Sequence, residues 1–289
     1  MEDKENNKPI VIYHDACADG FAAAWVFWRK YKDEYEYFPG VYGSSILPNV
    51  KDRDVFLLDF SYPKQVMEQW VTEAKSITIL DHHKTAIEEL GQLFFEDGRI
   101  GGVLDNSRSG AMIAWDWLNP NIPAPALLQH IQDRDLWKFE LEYTREIQNN
   151  LFSYEYDFEL WNALMRMDVS HLVDGGIAIT RKHNKDVAEL LEKYTHMSSF
   201  AGYFVPCCNI PYMYSSEAAS RMSKDHPFAF CYTYTKSGIM LSLRSQPDGA
   251  DVSTIAKTYG GGGHKTAAGC KLNHDDVSWV DNIMYIRQK

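Results

Sequence analysis

The feature that most constrains this chain is a recurring pattern in which a short apolar run ends in an acidic residue or a histidine. Short runs rich in β-branched residues are typical of buried strands. Parallel strands end at one edge of a sheet, which is where open α/β sheets bind their ligands. The pattern therefore predicts polar side chains gathered at one sheet edge. The three runs are residues 9–13, 54–58 and 76–80, and the residues that follow them are His14, Asp59 and Asp81.

The periodicity around these runs predicts the fold of the first half of the chain. Strand-like runs alternate with helical ones from residue 9 to about residue 139, and predicted helices occupy 21–31 and 64–74. This alternation is typical of a parallel sheet with helices on both faces. The fold class is therefore α/β.

The remainder of the chain predicts a helical connection and a second domain. A helical pattern covers 169–196, and strand-like runs follow over 200–205, 228–234 and 239–243. We expect the active site in a cleft between the two domains. The predicted parts are a parallel-sheet catalytic domain over 9–168, a helical linker over 169–197 and a smaller mixed α/β domain over 198–289.

The predicted sheet edge carries the side chains of a metal site. Carboxylates held close together repel one another and raise each other's pKa unless cations separate them. Oxygen and imidazole donors suit manganese, iron or magnesium, and two such ions activate water and clamp a phosphoryl group. The chemistry indicated is phosphoester hydrolysis. The residues concerned are His14, Asp19, Asp59, Asp81 and His82.

Each of these residues alone has a simpler interpretation. A single Asp after a strand is often a turn residue or a helix cap, and the triplet Asp81–His83 by itself is compatible with a solvated loop. Their joint occurrence at three strand ends favours the metal site.

The motifs resemble those of the DHH phosphoesterases. The first motif of that family resembles 14–25, the second resembles the strand end at Asp59, the third is the triplet 81–83 and the fourth resembles 131–137. The glycine run 260–263 with residues 264–269 is similar to the hallmark of the C-terminal domain found in the nanoRNase, or oligonucleotide phosphodiesterase, branch of the family. The resemblance covers residues 9 to about 273.

The resemblance implies roles for individual residues. It implies one or two manganese ions, with magnesium as the alternative ion. Asp81 would orient its neighbours and His83 would contact the scissile phosphate, which makes these two the predicted catalytic residues. The implied metal ligands are His14, Asp19, Asp59, His82 and Asp133.

Two points within these motifs leave alternatives. Two-metal members of the family commonly carry an Asp where this chain has Cys17, and a thiol is a poorer partner for manganese than a carboxylate. The number of ions is therefore left at one or two. Of the neighbouring acids Asp133 and Asp135, we assign the ligand to Asp133.

The glycine run and three basic residues form the predicted substrate-binding set. Successive glycines let a backbone approach a ligand closely, and amides at the start of a following helix would bind an anion. Arg108 has the planar guanidinium that suits phosphate, although Ser109 beside it also reads as a plain helix cap. Arg244 resembles the substrate arginine of the C-terminal domain. The set is Arg108, Arg244, Gly261, Gly262, Gly263 and His264.

Charge restricts the substrate. The formal net charge is −11, with 29 Lys plus Arg against 40 Asp plus Glu. Proteins that grip long nucleic acids usually present a basic surface, so long duplex DNA is not an expected partner. We expect a short oligonucleotide, a dinucleotide or another nucleotide phosphate. No membrane association is expected, and a homodimer is one allowed assembly.

The remaining composition suggests a compartment. Five cysteines without zinc-type spacing favour a reducing environment. No run is apolar enough for a membrane span or a signal peptide. The expected location is the cytoplasm.

The sequence therefore predicts a metal-dependent phosphodiesterase, with two rivals. One is a single-strand DNA exonuclease resembling the RecJ group, whose members are typically longer. The other is a protein that sequesters a nucleotide without cleaving it, which the cysteine at position 17 makes conceivable. Pyrophosphate or polyphosphate is a minor alternative substrate.

Overall fold

The chain divides into two compact units, and a long helix contains the boundary. The computed structural model describes residues 8–43, 46–96, 98 and 100–287. The units are Met1–Thr180 and Arg181–Lys289. The helix that contains the boundary runs from Ser170 to Tyr194, inside the range predicted for the helical linker.

The first unit contains a parallel sheet with the strand order β2-β1-β3-β4-β5. Every neighbouring pair in this sheet is parallel, as predicted for an α/β fold. The order reverses between β1 and β3, and doubly wound sheets bind ligands at such a reversal, beyond the carboxyl ends of the strands. The strands are β1 (Ile10–His14), β2 (Glu36–Gly40), β3 (Asp54–Leu58), β4 (Ser76–Asp81) and β5 (Ile100–Leu104).

Helices cover both faces of this sheet. Alternate residues of β1 point to opposite faces, so Val11 packs into one apolar core with Trp25 and Trp115, while Ile12 packs into another with Trp70. Burial on both faces accounts for the continuous apolar strand runs. The helices of this unit are α1 (Ala18–Tyr31), α2 (Lys64–Glu73), α3 (Lys84–Glu96), α4 (Gly110–Leu118), α5 (Ala126–Asp135), α6 (Thr144–Leu151) and α7 (Phe158–Leu164), and α8 (Ser170–Tyr194) is the helix that contains the boundary.

The second unit is built on a separate mixed sheet. Its strand order is β10-β11-β9-β8-β7-β6-β13-β12, with parallel pairing between β7 and β8 and between β6 and β13. Two helices accompany it, α9 (Tyr212–Met222) and α10 (Val252–Thr258). The strands are β6 (Thr195–Phe200), β7 (Tyr203–Asn209), β8 (Ala229–Thr235), β9 (Gly238–Arg244), β10 (Gly262–His264), β11 (Ala267–Leu272), β12 (Val277–Val280) and β13 (Ile283–Ile286).

One predicted strand of this unit is wrong. The apolar run 200–205 is not one strand but contains the turn of a hairpin, because β6 ends at Phe200 and β7 begins at Tyr203, directly opposite it. Ala201 and Gly202 both have positive φ, 51° and 81°. Two residues of this conformation form the tight turn that suits the twist of a hairpin.

The helix predicted after the glycine run is also wrong. Helix α10 precedes the run, and the glycines lead into β10, which pairs with β11. A Cβ atom at Gly261 would lie 2.0 Å from the carbonyl oxygen of Gly269. The absence of a side chain at Gly261 therefore allows two backbone segments to pack closely.

Among the described helices, none combines the length and the apolar character that crossing a lipid bilayer requires.

Candidate metal centre

Four of the five predicted metal ligands converge at the carboxyl edge of the first unit's sheet. His14 ends β1, Asp59 follows β3, and His82 follows β4. Asp19 lies in the first turn of α1, beyond the end of β1. Because the strands are parallel, these positions meet at the edge where the strand order reverses.

Asp59 lies between two groups of donor atoms. Its Oδ2 is 3.4 Å from His14 Nδ1 and 3.6 Å from Cys17 Sγ. Its Oδ1 is 3.0 Å from His82 Nε2 and 3.7 Å from His83 Nδ1. The Asp59 side chain is 1% exposed. Each carboxylate oxygen therefore faces a different set of donors.

His82 is the centre of the second group. Besides Asp59, its Nε2 atom lies 3.4 Å from Asp135 Oδ2 and 3.8 Å from Asp19 Oδ2. The side chains of His82 and Asp19 are essentially fully buried. Three carboxylates thus surround one imidazole nitrogen, and of these only Asp135, which is 20% exposed, reaches the surface.

The N-terminus of α4 holds Asp19 in place. The amide of Gly110 donates to Asp19 Oδ2 at 2.6 Å, and the amide of Ala111 donates to Oδ1 at 3.1 Å. Helix N-termini stabilise negative charge through these unpaired amides. A Cβ atom at Gly110 would lie 2.5 Å from the Cβ of Asp59, so only glycine fits at this position.

Replacing Gly110 with alanine is expected to disturb the metal centre. The added methyl group must displace Asp59 or the α4 terminus, and overpacking of this kind costs about 1–3 kcal/mol of unfolding free energy. We expect lower thermal stability and weaker manganese binding, measured by calorimetry. Gly101→Ala is the matched control, because a Cβ there meets no atom within 4 Å. Equal behaviour of the two variants would contradict the steric argument.

Asp81 positions His83. Its Oδ1 accepts hydrogen bonds from the amides of His82 and His83, at 2.7 and 3.1 Å, and lies 2.8 Å from His83 Nδ1. Asp81 is fully buried. A carboxylate that fixes an imidazole in this way also fixes which ring nitrogen carries the proton.

The structure places Asp135 at the cluster, whereas Asp133, the predicted metal ligand, bonds to other groups. Asp133 accepts hydrogen bonds from the amides of Glu140 and Leu141, at 2.8 and 3.0 Å, and from the hydroxyl of Thr144 at 2.6 Å. Burial alone would raise the pKa of Asp133, but these hydrogen bonds outweigh it and hold the pKa below its usual value. Asp133 therefore stabilises the loop after α5.

The predicted substrate arginine of the first unit is engaged in ion pairs. Arg108 Nε lies 2.9 Å from Asp105, and its Nη1 lies 2.7 Å from Asp116. Ser109 caps α4 by accepting a hydrogen bond from the amide of Met112. A substrate phosphate would have to compete with two carboxylates for Arg108.

The other predicted substrate-binding residues lie in the second unit. Arg244 ends β9, and its Nη2 donates to Ser216 Oγ at 2.8 Å. Gly262, Gly263 and His264 form β10, and Gly261 precedes it. Their role in binding substrate stays a prediction.

In the metal-free cluster, the pKa values of Asp19 and His82 are both raised, which favours their protonated forms. Burial alone would lower the pKa of His82, but Asp135, Asp59 and Asp19 raise it well above its usual value. Burial and the charges of Asp59 and Asp135 raise the pKa of Asp19 well above its usual value. Burial would also raise the pKa of Asp59, but His14 and His82 hold it well below. Since metal ligands must be deprotonated, metal binding here would release protons.

The donor set fits a divalent cation. No well-aligned hydrogen bond from the described residues reaches Asp59 Oδ1, although His82 Nε2 is only 3.0 Å away. Asp81 Oδ2 is likewise buried and unpaired among the described residues. Buried oxygens rarely lack a hydrogen-bond partner. Two metal-ligating atoms that lie close together without forming a well-aligned hydrogen bond are expected where both point at a shared cation.

Two determinants of the site are not evident from sequence reasoning alone. Asp135 is present in the fourth motif, but its spacing does not separate it from Asp133. Gly110 appears only as the start of a helix, and its contact with Asp59 depends on how α4 packs on the sheet. The polar segment before α4 is the one sequence signal that points to this region.

Two relatives align with most of the chain. An uncharacterized protein of Acanthamoeba polyphaga mimivirus is 30% identical over 288 residues, covering 90% of this chain and 66% of that protein. Oligoribonuclease NrnB of Bacillus subtilis is 25% identical over 224 residues, covering 72% of this chain and 56% of that protein. The chain thus spans less than two thirds of the length of either curated relative.

Three solved structures resemble this one weakly. A pGpG-specific phosphodiesterase, PggH, of Vibrio cholerae has a TM-score of 0.46 at 13% identity, covering 93% of this chain and 95% of that chain. An uncharacterized protein of Helicobacter pylori has a TM-score of 0.43 at 13% identity, covering 98% and 94%. An exopolyphosphatase-related protein of Bacteroides fragilis has a TM-score of 0.40 at 14% identity, covering 93% and 88%. Similarity at this level does not identify a shared activity.

No protein-family profile matches the chain. The ordered motifs at residues 14–25, at Asp59, at 81–83 and at 131–137 are a separate point of resemblance to the DHH phosphoesterases. Together, these motifs and the similarity to the Bacillus oligoribonuclease support the assignment of the chain to the DHH phosphoesterase family.

Proposed function

We propose that this protein is a divalent-metal-dependent phosphodiesterase that hydrolyses short oligonucleotides, dinucleotides or related nucleotide phosphates. The observation that carries the proposal is the position of Asp59, whose two oxygens face separate donor sets 3.0–3.6 Å away. A carboxylate shared in this way is suited to joining two cations. Sites with two closely spaced cations are typical of enzymes that cleave phosphate esters.

The protein groups that would hold the cations form two sets. The first set contains His14 and Asp59, and the second contains Asp19, Asp59, His82 and Asp135. Mixed oxygen and imidazole donors suit manganese, with magnesium as the alternative. Bound cations of this kind lower the pKa of water and neutralise charge on a phosphoryl group.

The remaining residues of the centre would orient the reaction. With His83 Nδ1 held by Asp81 at 2.8 Å, contact with a phosphoryl oxygen in the proposed role falls to His83 Nε2. The α4 amides hold the Asp19 carboxylate in a fixed position before substrate arrives. Such prior fixing reduces the reorganisation needed during the reaction.

A short substrate agrees with the charge of the chain. A net charge of −11 disfavours contact with many phosphates along a strand. The Bacillus relative is named an oligoribonuclease, which supports a short RNA or a dinucleotide. We propose that Arg244 and His264 of the second unit bind a terminal phosphate, since a guanidinium donates two parallel hydrogen bonds to such a group.

The proposal predicts a specific pattern of hydrolysis. Purified protein is stripped with a chelator, reloaded with manganese, and incubated with linear dinucleotides, short RNAs, long single-stranded DNA, nucleoside bisphosphates and polyphosphate. We expect mononucleotide products from dinucleotides and short RNAs, measured by chromatography, and no product without metal.

Each other outcome selects a rival. Preference for long single-stranded DNA would indicate an exonuclease of the RecJ kind. A stoichiometric complex without product, both with manganese and after reloading with magnesium or zinc, would indicate a nucleotide-binding protein and overturn the proposal. Phosphate release from polyphosphate alone would move the activity away from nucleotides.

A further inference from the structure

We propose that Cys17 is a metal ligand, and that His14, Cys17 and Asp59 form a thiolate-containing cation position distinct from the oxygen-rich position around His82. The inference rests on the proposed function, in that it assumes the cluster binds divalent cations. It adds a preference: the position at Cys17 would select zinc-like ions over manganese.

The distances match a tetrahedral ion. Bond lengths of about 2.0–2.2 Å for N and O and about 2.3 Å for S imply ligand separations of about 3.4 Å between N and O and about 3.6 Å between S and O. The observed separations are 3.4 Å for His14 Nδ1 to Asp59 Oδ2 and 3.6 Å for Cys17 Sγ to Asp59 Oδ2. All three donor atoms lie within 4.8 Å of one another.

The local backbone directs Cys17 toward Asp59. Ala16 has a positive φ of 51°, which turns the chain sharply between β1 and α1. Cys17 occupies the N-cap position of α1, where Ser, Thr, Asp or Asn would normally bond the helix amides, and its side chain forms no cap hydrogen bond. The side chain at this position faces Asp59, with Sγ 3.6 Å from Asp59 Oδ2.

The donor types determine the ion. Thiolate and imidazole favour zinc, iron(II) or cobalt(II), whereas carboxylates favour manganese and magnesium. Three protein donors leave a fourth position of a tetrahedral zinc-type site open, as in catalytic zinc sites. Binding displaces the thiol proton to solvent and forms one sulfur–metal bond, so no oxidant or reductant is required.

Cobalt(II) titration of the metal-stripped protein tests this assignment. We expect a near-ultraviolet thiolate-to-cobalt charge-transfer band in the unmodified protein, and its loss in Cys17→Ser and Cys17→Asp. The other four cysteines, all buried in the second unit, remain in both variants and serve as internal controls.

Metal competition provides the second readout. Cys17→Ser should weaken zinc binding by more than about tenfold, the size of effect seen even for groups that only support a ligand. Manganese binding at the His82 position should change little. Cys17→Asp should strengthen manganese binding at the first position, and melting curves establish that both variants are folded.

The outcomes separate the two proposals. Absence of the charge-transfer band, or its persistence in Cys17→Ser, overturns the role of Cys17 even if hydrolysis is observed. Presence of the band without hydrolysis of any substrate upholds Cys17 as a ligand and overturns the proposed function. Equal zinc-to-manganese preference in the unmodified protein and in Cys17→Ser also overturns the inference.

Discussion

Replacing Asp59 with asparagine is expected to abolish metal-dependent turnover while leaving the protein folded. Asparagine keeps the shape of the side chain and tolerates the positive φ of 52° at this position. It removes the charge that faces both donor sets. We expect kcat/KM to fall by more than about 10³-fold, since loss of a single transition-state donor alone costs about 10²–10³.

Asp54→Asn is the matched control for this experiment. Asp54 begins the same strand at its opposite end, where it pairs with Lys75 at 2.8 Å and with Ser76 at 2.5 Å. This variant should bind manganese and turn over normally. Titration calorimetry and steady-state kinetics compare the two. Full activity in Asp59→Asn would refute the metal assignment.

Asp135→Asn is expected to weaken metal binding, whereas Asp133→Asn is expected to lower the stability of the fold. Asp135→Asn removes a carboxylate 3.4 Å from His82 Nε2 and should weaken manganese binding by about 10–100-fold or more. Asp133→Asn disturbs hydrogen bonds to a charged acceptor, each worth about 1.5–3 kcal/mol. It should lower the melting temperature and leave metal affinity nearly unchanged.

The comparison requires both measurements on both variants. Manganese affinity is measured by calorimetry, and stability is measured by denaturation in the presence of a chelator. Loss of metal binding in Asp133→Asn, with normal binding in Asp135→Asn, would restore the assignment based on sequence.

The strands that form the site were predictable because their patterns are local. Strand β3 occupies 54–58 as predicted, since alternating burial on both faces demands a continuous apolar run. The hairpin at Ala201 and Gly202 was not predictable in this way. The apolar residues on its two sides form one unbroken run, and the turn lacks an Asn-Gly or Asp-Gly pair.

The site residues whose positions are set by the ends of strands were predictable from the sequence. Those whose positions depend on how a helix packs were not. His14, Asp59 and His82 follow directly from the ends of parallel strands. Asp133 and Asp135 are two positions apart at the end of α5, and residues so spaced do not face the same way. Only the packing of α5 decides which of the two carboxylates faces the cluster. Asp133 faces Thr144 instead, whose hydroxyl donates a hydrogen bond to it.

The left-handed backbone conformation at Asp59 limits which amino acids are tolerated at this position. Glycine, asparagine and aspartate adopt a positive φ readily, whereas β-branched and bulky residues are strained there. Glycine offers no oxygen and asparagine offers no charge. Of these three residue types, only aspartate would supply the charged oxygens of the proposed metal centre, so glycine or asparagine here would remove the centre while leaving the backbone unstrained.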